Sequence, residues 1–324
     1  MLYSITAFAL GKYEWIPVVG VVFAFFATIL CMKRSAPRLP QDQGRAFAVE
    51  GTLSKGKIRG VGLVFVMTYI ASVLLFDHID AQKLVYMCVI AGTMLTGYFD
   101  DASDKPWNEY LKGALDLLLA VIVAVTYLFF HGNSFYILYP WTATLTIPYV
   151  LAGMLIVALV WTSINVTNCT DGVDGLSATL TVMTLGSFWL CISAKSAVGE
   201  AYYILYFVAV LVAYLWYNAN PSSMLMGDAG SRAMGMMIAI TALLCGCPLL
   251  YIPFAAVMIF DGGLGLIKVA LLRFLKIKIL VNTRCPLHDQ ARKVNGWSNT
   301  QVVFRFAVIQ FMVSAPFVML AILN

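Results

Sequence analysis

Residues Tyr110–Phe130 read YLKGALDLLLAVIVAVTYLFF, an apolar run of the length that crosses a bilayer. The hydrocarbon core of a membrane requires about 20 apolar residues in a helix. Similar runs occur along the whole chain, at Trp15–Met32, Gly60–Phe76, Leu84–Phe99, Ile147–Ile164, Leu176–Ser193, Ala201–Tyr217, Ala233–Gly246, Leu249–Phe274 and Val302–Leu323. The sequence therefore predicts an all-α, polytopic integral membrane protein of about ten transmembrane helices, the eighth of them short.

The composition excludes an ordinary soluble protein. Hydrophobic residues make up 61% of the 324 residues and charged residues only 11%, and the mean hydropathy is +0.86. Soluble domains carry about 25% charged residues. We expect a single transmembrane domain over residues 1–324. No small-residue cleavage site follows the first apolar run, so a cleaved signal peptide is not expected.

The basic residues predict the orientation, because Lys and Arg collect in cytoplasmic loops. If the segment after the first run is cytoplasmic, nearly all of the 21 Lys and Arg residues lie on that face. Only Lys12, Lys83 and Lys195 lie opposite, and Lys268 falls inside the ninth run. Both termini are then expected outside. The net charge of +5 favours anionic lipids and substrates. Nucleic acid is not an expected partner, since no basic run is long or free of the membrane.

The acidic residues concentrate where apolar runs end. Only 16 residues are Asp or Glu, and five of these lie in three turns rich in Asn and Gly: Asp100, Asp101, Asp171, Asp174 and Asp228. Charge so close to hydrocarbon is costly unless it is paired, hydrated or functional. All three turns fall on the predicted cytoplasmic face, so we expect them to form one site.

Asp100 and Asp101 form the first turn. A solvated helix end is the alternative interpretation of such a pair. Lys105 and Lys112 nearby favour a site, because positive charge keeps one carboxylate ionised while the other serves as a base or near a metal.

The second turn follows the motif Asn165-x-x-Asn168-x-x-Asp171. This spacing places the three side chains on one face of a continuing helix, and the glycines that follow allow a turn that brings Asp174 back. Hard oxygen ligands of this kind suit Mg²⁺ with a substrate phosphate. A polar helix cap is the alternative, and the spacing of an EF-hand is absent.

The third turn is Met226-Gly-Asp228-Ala-Gly-Ser231. Gly227 and Gly230 let the backbone approach a ligand, and Ser231 as a cap would expose helix amides to a phosphate. Together the three turns predict a site for a metal and a diphosphate.

The last polar loop contains His288, close to Arg292 and Lys293. An exposed loop histidine is the plain alternative, but the two cations suit a diphosphate.

These motifs resemble the polyprenyl-phosphate N-acetylhexosamine-1-phosphate transferase superfamily from about Gln41 to Phe306. The segments that carry the resemblance are Gly97-Tyr-Phe-Asp-Asp101, Asn165–Leu176, Trp216-Tyr-Asn-Ala-Asn-Pro221, Met226–Ser231, Pro286-Leu-His288, Gly296-Trp297 and Val302-Val-Phe-Arg-Phe306. The last two segments favour the muramoyl-pentapeptide branch over the N-acetylglucosamine branch.

The resemblance implies a specific activity. Members of that branch have ten transmembrane helices and a cytoplasmic active site in the bacterial inner membrane. They require Mg²⁺ and transfer phospho-MurNAc-pentapeptide from UDP to undecaprenyl phosphate, which gives lipid I and UMP in peptidoglycan synthesis. Membrane lipids, nucleoside inhibitors such as tunicamycin, and a second copy in a homodimer are the further partners it implies.

The resemblance also implies roles for single residues. Asp228 would be a magnesium ligand and Asn168 a second one. Asp100 would position or deprotonate the lipid phosphate beside Asp101, and His288 would complete the catalytic group. The substrate-binding residues would be Lys112, Asn165, Asp171, Asp174, Asn218, Leu225, Arg292 and either Lys55 or Lys57.

Three departures from the family pattern bear on these roles. The family's triple histidine is reduced here to His288-Asp289-Gln290. The glycine-rich segment reads Gly56-Lys-Ile-Arg-Gly-Val-Gly62, so the lysine before it is either Lys55 or Lys57. Leu225 stands where the family has a phenylalanine, and a leucine cannot stack on uracil.

Two alternatives remain at this point. The first is the N-acetylglucosamine-1-phosphate transferase branch of the same superfamily. The second is a cation or nucleotide-sugar transporter, which should carry its acids at the midplane on broken helices. We find no inverted pair of broken helices in the sequence, and the acids gather at one face. An aspartyl-phosphate intermediate is not decided by the sequence, although direct attack by the lipid phosphate is simpler.

Overall fold

The computed structural model describes residues 15–42, 44, 54–103, 107–137, 143–195 and 201–323. Its helices are α1 (Trp15–Ser35), α2 (Gly62–Phe76), α3 (Ala81–Ala102), α4 (Glu109–His131), α5 (Tyr149–Thr170), α6 (Leu176–Lys195), α7 (Tyr202–Asn218), α8 (Gly227–Leu244), α9 (Pro248–Phe254), α10 (Ala256–Leu275), α11 (Leu287–Lys293) and α12 (Asn299–Ile322). Two small sheets pair β1 (Ile58–Arg59) with β4 (Met224–Leu225) in parallel and β2 (Ser134–Tyr136) with β3 (Thr144–Thr146) antiparallel. Lys12 and Lys105 lie outside the described residues.

The all-α membrane architecture is confirmed, because each predicted apolar run contains a helix. Five helices within the described ranges are long and apolar enough to cross a membrane, and the bent pair of α9 and α10 makes a sixth. Helices α2 and α7 are apolar but shorter, with 15 and 17 residues. The count of ten spans, the positions of the termini and the side on which the site faces stay predictions.

Several helices begin at side-chain caps that the local sequence supplies. Asp80 accepts a hydrogen bond from the Lys83 amide ahead of α3, at 2.7 Å. Asn108 does the same for α4 through the Tyr110 amide, at 3.0 Å. Ser298 and Gln301 form a capping box at the start of α12. Such caps satisfy amides that the first turn of a helix leaves unpaired, so these helix starts are set locally.

Helix α8 is the centre of the bundle. Every residue from Gly227 to Leu243 is buried except Asp228. Helices α2, α3, α5 and α6 surround it. At Gly97 of α3, a Cβ atom would lie 2.5 Å from the carbonyl carbon of Asp228, so only glycine permits this approach. The crossing brings the end of α3, with its paired acids, beside the start of α8.

The ninth apolar run is broken rather than continuous. Helices α9 and α10 meet at an angle of 73°. Gln310 of α12 accepts a hydrogen bond from the Val257 amide and donates one to the Pro253 carbonyl, both at 2.9 Å. The Thr184 hydroxyl of α6 donates to the Phe254 carbonyl at 2.6 Å. These side chains satisfy backbone groups that the break exposes inside the protein, as burial requires.

Candidate active site

The paired acids of α3 and the acid of α8 meet at one end of the bundle. Asp100, Asp101 and Asp228 each offer a carboxylate oxygen, and these oxygens lie within 4.8 Å of one another. Asp100 is buried, whereas the other two side chains are partly exposed. The structure therefore brings together residues that the sequence placed in two separate turns. We call these three residues the acid cluster.

Asp101 is bonded to the protein through both carboxylate oxygens. Oδ2 accepts a hydrogen bond from the Asp228 amide at 2.7 Å, and Oδ1 accepts one from the Arg59 guanidinium at 2.6 Å. Gly227 makes the first contact possible, because it has a φ of +66° and its Cβ would lie 2.3 Å from Oδ2 of Asp101. A carboxylate at a helix N-terminus is favoured by the helix dipole, so Asp101 fixes the start of α8.

Asp100 is held in a different way. Its Oδ1 accepts a hydrogen bond from the Trp107 amide at 2.9 Å, and its Oδ2 forms an ion pair with Lys112. Lys112, expected to contact substrate, thus lies against the cluster. The ion pair gives the buried carboxylate of Asp100 a charged partner inside the protein.

Asp228 differs from its two neighbours in the cluster. Among the described residues, none donates a hydrogen bond to its carboxylate. Asn168 lies nearby, because its side-chain amide donates to the Ser231 hydroxyl at 2.9 Å, one turn after Asp228. Carboxylate and amide oxygens are the donors that suit a hard divalent cation, and Asp228 is the member of the cluster left to bind one.

Lys57, and not Lys55, reaches the second turn. Its ammonium group lies 3.3 Å from Oδ2 of Asp174 and 2.8 Å from the Ser222 hydroxyl. The same Asp174 oxygen accepts a hydrogen bond from the Ser222 amide at 3.0 Å. Lys55 is exposed. Of the two lysines that the sequence left open, the structure therefore places Lys57 beside Asp174 of the second turn.

Three other predicted residues have mainly internal contacts. Asn218 is buried, accepts from the Gly175 amide and donates to the Met224 carbonyl, both at 2.8 Å, and so fastens two loops together. Asn165 donates to the Trp161 carbonyl at 2.8 Å. Leu225 is half-buried in β4, paired with Arg59.

His288 is oriented by a buried acid that sequence analysis missed. Oδ1 of Asp261 accepts a hydrogen bond from the His288 amide at 2.7 Å, and Oδ2 accepts one from the ring Nδ1 at 2.8 Å. Both side chains are at most 3% exposed. This contact fixes the orientation of the ring, since a hydrogen bond at one ring nitrogen determines the role of the other, and Nε2 lies 3.7 Å from Oδ1 of Asp289. The sequence does mark Asp261 as a candidate, because an acid inside an apolar run is usually functional.

Arg292 connects the histidine loop with the second turn. It donates to Oδ1 of Asp289 at 2.7 Å and to the Gly172 carbonyl at 3.1 Å. Gly172 lies in the turn between Asp171 and Asp174. Arg59, another residue that sequence analysis missed, bonds Asp42 as well as Asp101. The predicted site residues thus form one connected rim at the ends of several helices.

A helical membrane bundle that collects carboxylates, lysines and a histidine on one rim defines an integral-membrane enzyme acting on charged groups at the membrane surface. Residues 83–246 match glycosyl transferase family 4, and the chain belongs to this family. Relatives in two strains of Treponema pallidum, named phospho-N-acetylmuramoyl-pentapeptide-transferase, are 38% identical over 323 residues, which covers 93% of this chain and 88% of theirs. A Helicobacter pylori protein of the same name is 25% identical over 346 residues, with 96% and 97% covered.

Proposed function

We propose that this protein transfers phospho-MurNAc-pentapeptide from UDP-MurNAc-pentapeptide to undecaprenyl phosphate, which forms lipid I and UMP. The 38% identity to the Treponema pallidum transferases over 93% of the chain is the observation that carries the proposal. The acid cluster, with Lys112 paired to Asp100, supports it, because phosphoryl transfer depends on positioning and charge stabilisation. The setting is the bacterial inner membrane, with ten spans, both termini outside and the site on the cytoplasmic face.

Asp228 is the proposed ligand of Mg²⁺, with Asn168 as a second one. The unpaired carboxylate of Asp228 and the hard oxygen donors around it fit this ion. When bound, Mg²⁺ offsets charge on the diphosphate and acts as a Lewis acid.

The remaining residues orient the two substrates. A phosphate oxygen of the lipid attacks the β-phosphorus of the UDP-sugar, and the bond from that phosphorus to the bridging oxygen breaks, so UMP leaves with the electron pair. Asp100, held by Lys112 and the Trp107 amide, positions the lipid phosphate or takes its proton. Lys57 and His288 lie on the same rim, where they contact phosphates of the donor. Direct attack by the lipid phosphate is simpler than a route through an aspartyl-phosphate intermediate, and it is the course that we propose.

One assay tests the proposal against the N-acetylglucosamine branch. Purified protein is mixed with undecaprenyl phosphate, Mg²⁺ and either UDP-MurNAc-pentapeptide or UDP-GlcNAc, and UMP release is followed. We expect UMP with the muramoyl donor only, and none when undecaprenyl phosphate is omitted. UMP release with UDP-GlcNAc but not with UDP-MurNAc-pentapeptide would assign the protein to the N-acetylglucosamine branch.

A further inference from the structure

A second charged group is buried next to the acid cluster. Arg232 of α8 is 5% exposed and Asp116 of α4 is 2% exposed, and a guanidinium nitrogen of the first donates to Oδ1 of the second. No role in binding or chemistry has been assigned above to either charged residue.

The arrangement of this ion pair is not one that stability alone would favour. Burial of two charges costs free energy that their attraction only partly offsets, and apolar side chains of similar volume are often as stable. In addition, Nε of Arg232 is buried without a hydrogen-bond partner among the described residues. An unsatisfied buried donor is a further cost. A gain in stability therefore does not account for the pair.

The ion pair lies one helical turn from two site residues. Asp116 follows Lys112 by four residues on α4, and Arg232 follows Asp228 by four residues on α8. Residues at this spacing lie on the same helix face, one above the other. The contact between Asp116 and Arg232 thus joins α4 to α8 one turn further along both helices than Lys112 and Asp228.

The pair also joins helices that otherwise contact each other little. Helix α4 packs mainly on α3 and α5, and each of these packs on α8. Apolar contacts through an intervening helix permit small sliding movements. A charge-assisted hydrogen bond has a fixed distance and direction, so it sets the position of α4 along α8.

We infer that Asp116 and Arg232 are positioning residues that set the separation between the Lys112 ammonium group and the Asp228 carboxylate. This inference rests on the proposed function, in which those two groups converge on phosphate and cation. Displacement of reacting groups by about 1 Å can lower a rate by about 100-fold. Loss of the pair should therefore reduce turnover even where the protein remains folded.

The test replaces both partners at once. Arg232→Leu alone leaves a buried, unpaired carboxylate and can prevent folding, so the informative variant is Asp116→Leu with Arg232→Leu. We expect its melting temperature in detergent to stay near that of the wild type. We expect kcat to fall by about 10- to 100-fold. KM for the donor should stay within about twofold, because the contacts that bind the donor in its ground state are unchanged. The Mg²⁺ concentration for half-maximal turnover should rise.

The control removes a different ion pair from the same helix. Glu109 of α4 pairs with Arg273 of α10, and both side chains are largely exposed. Glu109→Gln with Arg273→Gln should leave kcat unchanged, and an equal loss of kcat there would overturn the inference. Full turnover in the folded double-leucine variant would overturn it as well. If that variant does not fold, Asp116→Asn with Arg232→Gln is measured by the same criteria, and failure of both to fold would show a purely structural role.

The wild-type assay separates the two proposals. If the wild-type protein releases no UMP, the proposed function fails. If the wild type is active and the folded variant is equally active, only the positioning role fails.

Discussion

At the scale of single residues, the three carboxylates of the acid cluster are unequal. Asp101 is bonded at both oxygens to Arg59 and to the start of α8, and Asp100 is bonded to Lys112 and the Trp107 amide. Only Asp228 has a carboxylate that no described residue contacts with a hydrogen bond. Asp100 and Asp101 therefore hold the site together, whereas the carboxylate of Asp228 is available to a cation.

Asp228→Asn should abolish UMP release and leave the protein folded. The substitution removes the negative charge that Mg²⁺ requires, but it breaks no hydrogen bond to a described residue. The measurement is UMP release at saturating Mg²⁺, with the melting temperature in detergent as the control for folding. Near-normal turnover would contradict the assignment of Asp228 as a metal ligand.

Asp261→Asn should lower turnover by about 10- to 100-fold, the cost typical of losing an outer partner that orients a functional side chain. The amide of asparagine would meet Nδ1 of His288 with a donor, so the ring would turn or change tautomer. The check is kcat in Asp261→Asn compared with His288→Asn and with the double variant. Losses that simply multiply in the double variant would show that Asp261 does not act through His288.

The sequence predicted the acids at the ends of apolar runs, but not the distant residues that contact the site. Asp100, Asp101 and Asp228 were predicted from their position at the ends of apolar runs. Arg59 meets Asp101 across 42 residues of chain, and Asp261 meets His288 across 27. Such contacts follow from the packing of the helices and leave no local pattern.

At the scale of elements, apolar length predicted where helices occur but not how the ninth run is divided. The run Leu249–Phe274 has the length of one span, yet α9 and α10 meet at 73°. Pro253 is the only local signal, because proline removes an amide donor. The groups that make the break tolerable belong to α6 and α12, and a single run of sequence cannot show them.

Gln310→Leu should destabilise the protein through this break. The Val257 amide would lose its partner, and the Pro253 carbonyl would keep only the Ser314 hydroxyl at 3.5 Å. A buried group left unsatisfied costs about 1–3 kcal/mol. The measurement is thermal unfolding in detergent, with Met312→Leu, an exposed position on the same helix, as the matched control. An unchanged melting temperature for Gln310→Leu would show that the break does not depend on this contact.

At the scale of the whole molecule, the turns predicted to share one face do meet at one end of the bundle. The acid cluster joins the end of α3 to the start of α8, Lys57 lies just before β1, and His288 lies in the first turn of α11. Counting the apolar runs between these turns was enough to predict that they share one end, because each span reverses the direction of the chain. The distances within the site were not predictable, because they depend on close approaches such as that of Gly97 to Asp228.

Removal of divalent metal should stop turnover without unfolding the protein. Two of the clustered acids are already neutralised by Arg59 and Lys112, so the bundle does not need an ion to offset their charge. Treatment with EDTA should abolish UMP release, and added Mg²⁺ should restore it, with little change in melting temperature. Continued turnover in the chelated protein would contradict a metal-dependent reaction.

The burial of α8 has a mechanical consequence. Because every residue from Gly227 to Leu243 except Asp228 is enclosed, this helix presents no side to lipid. Changes in bilayer thickness or fluidity act directly on the outer helices and reach α8 only through its neighbours. We therefore expect the position of Asp228 to be insensitive to the state of the bilayer, even though the lipid substrate is dissolved in that bilayer.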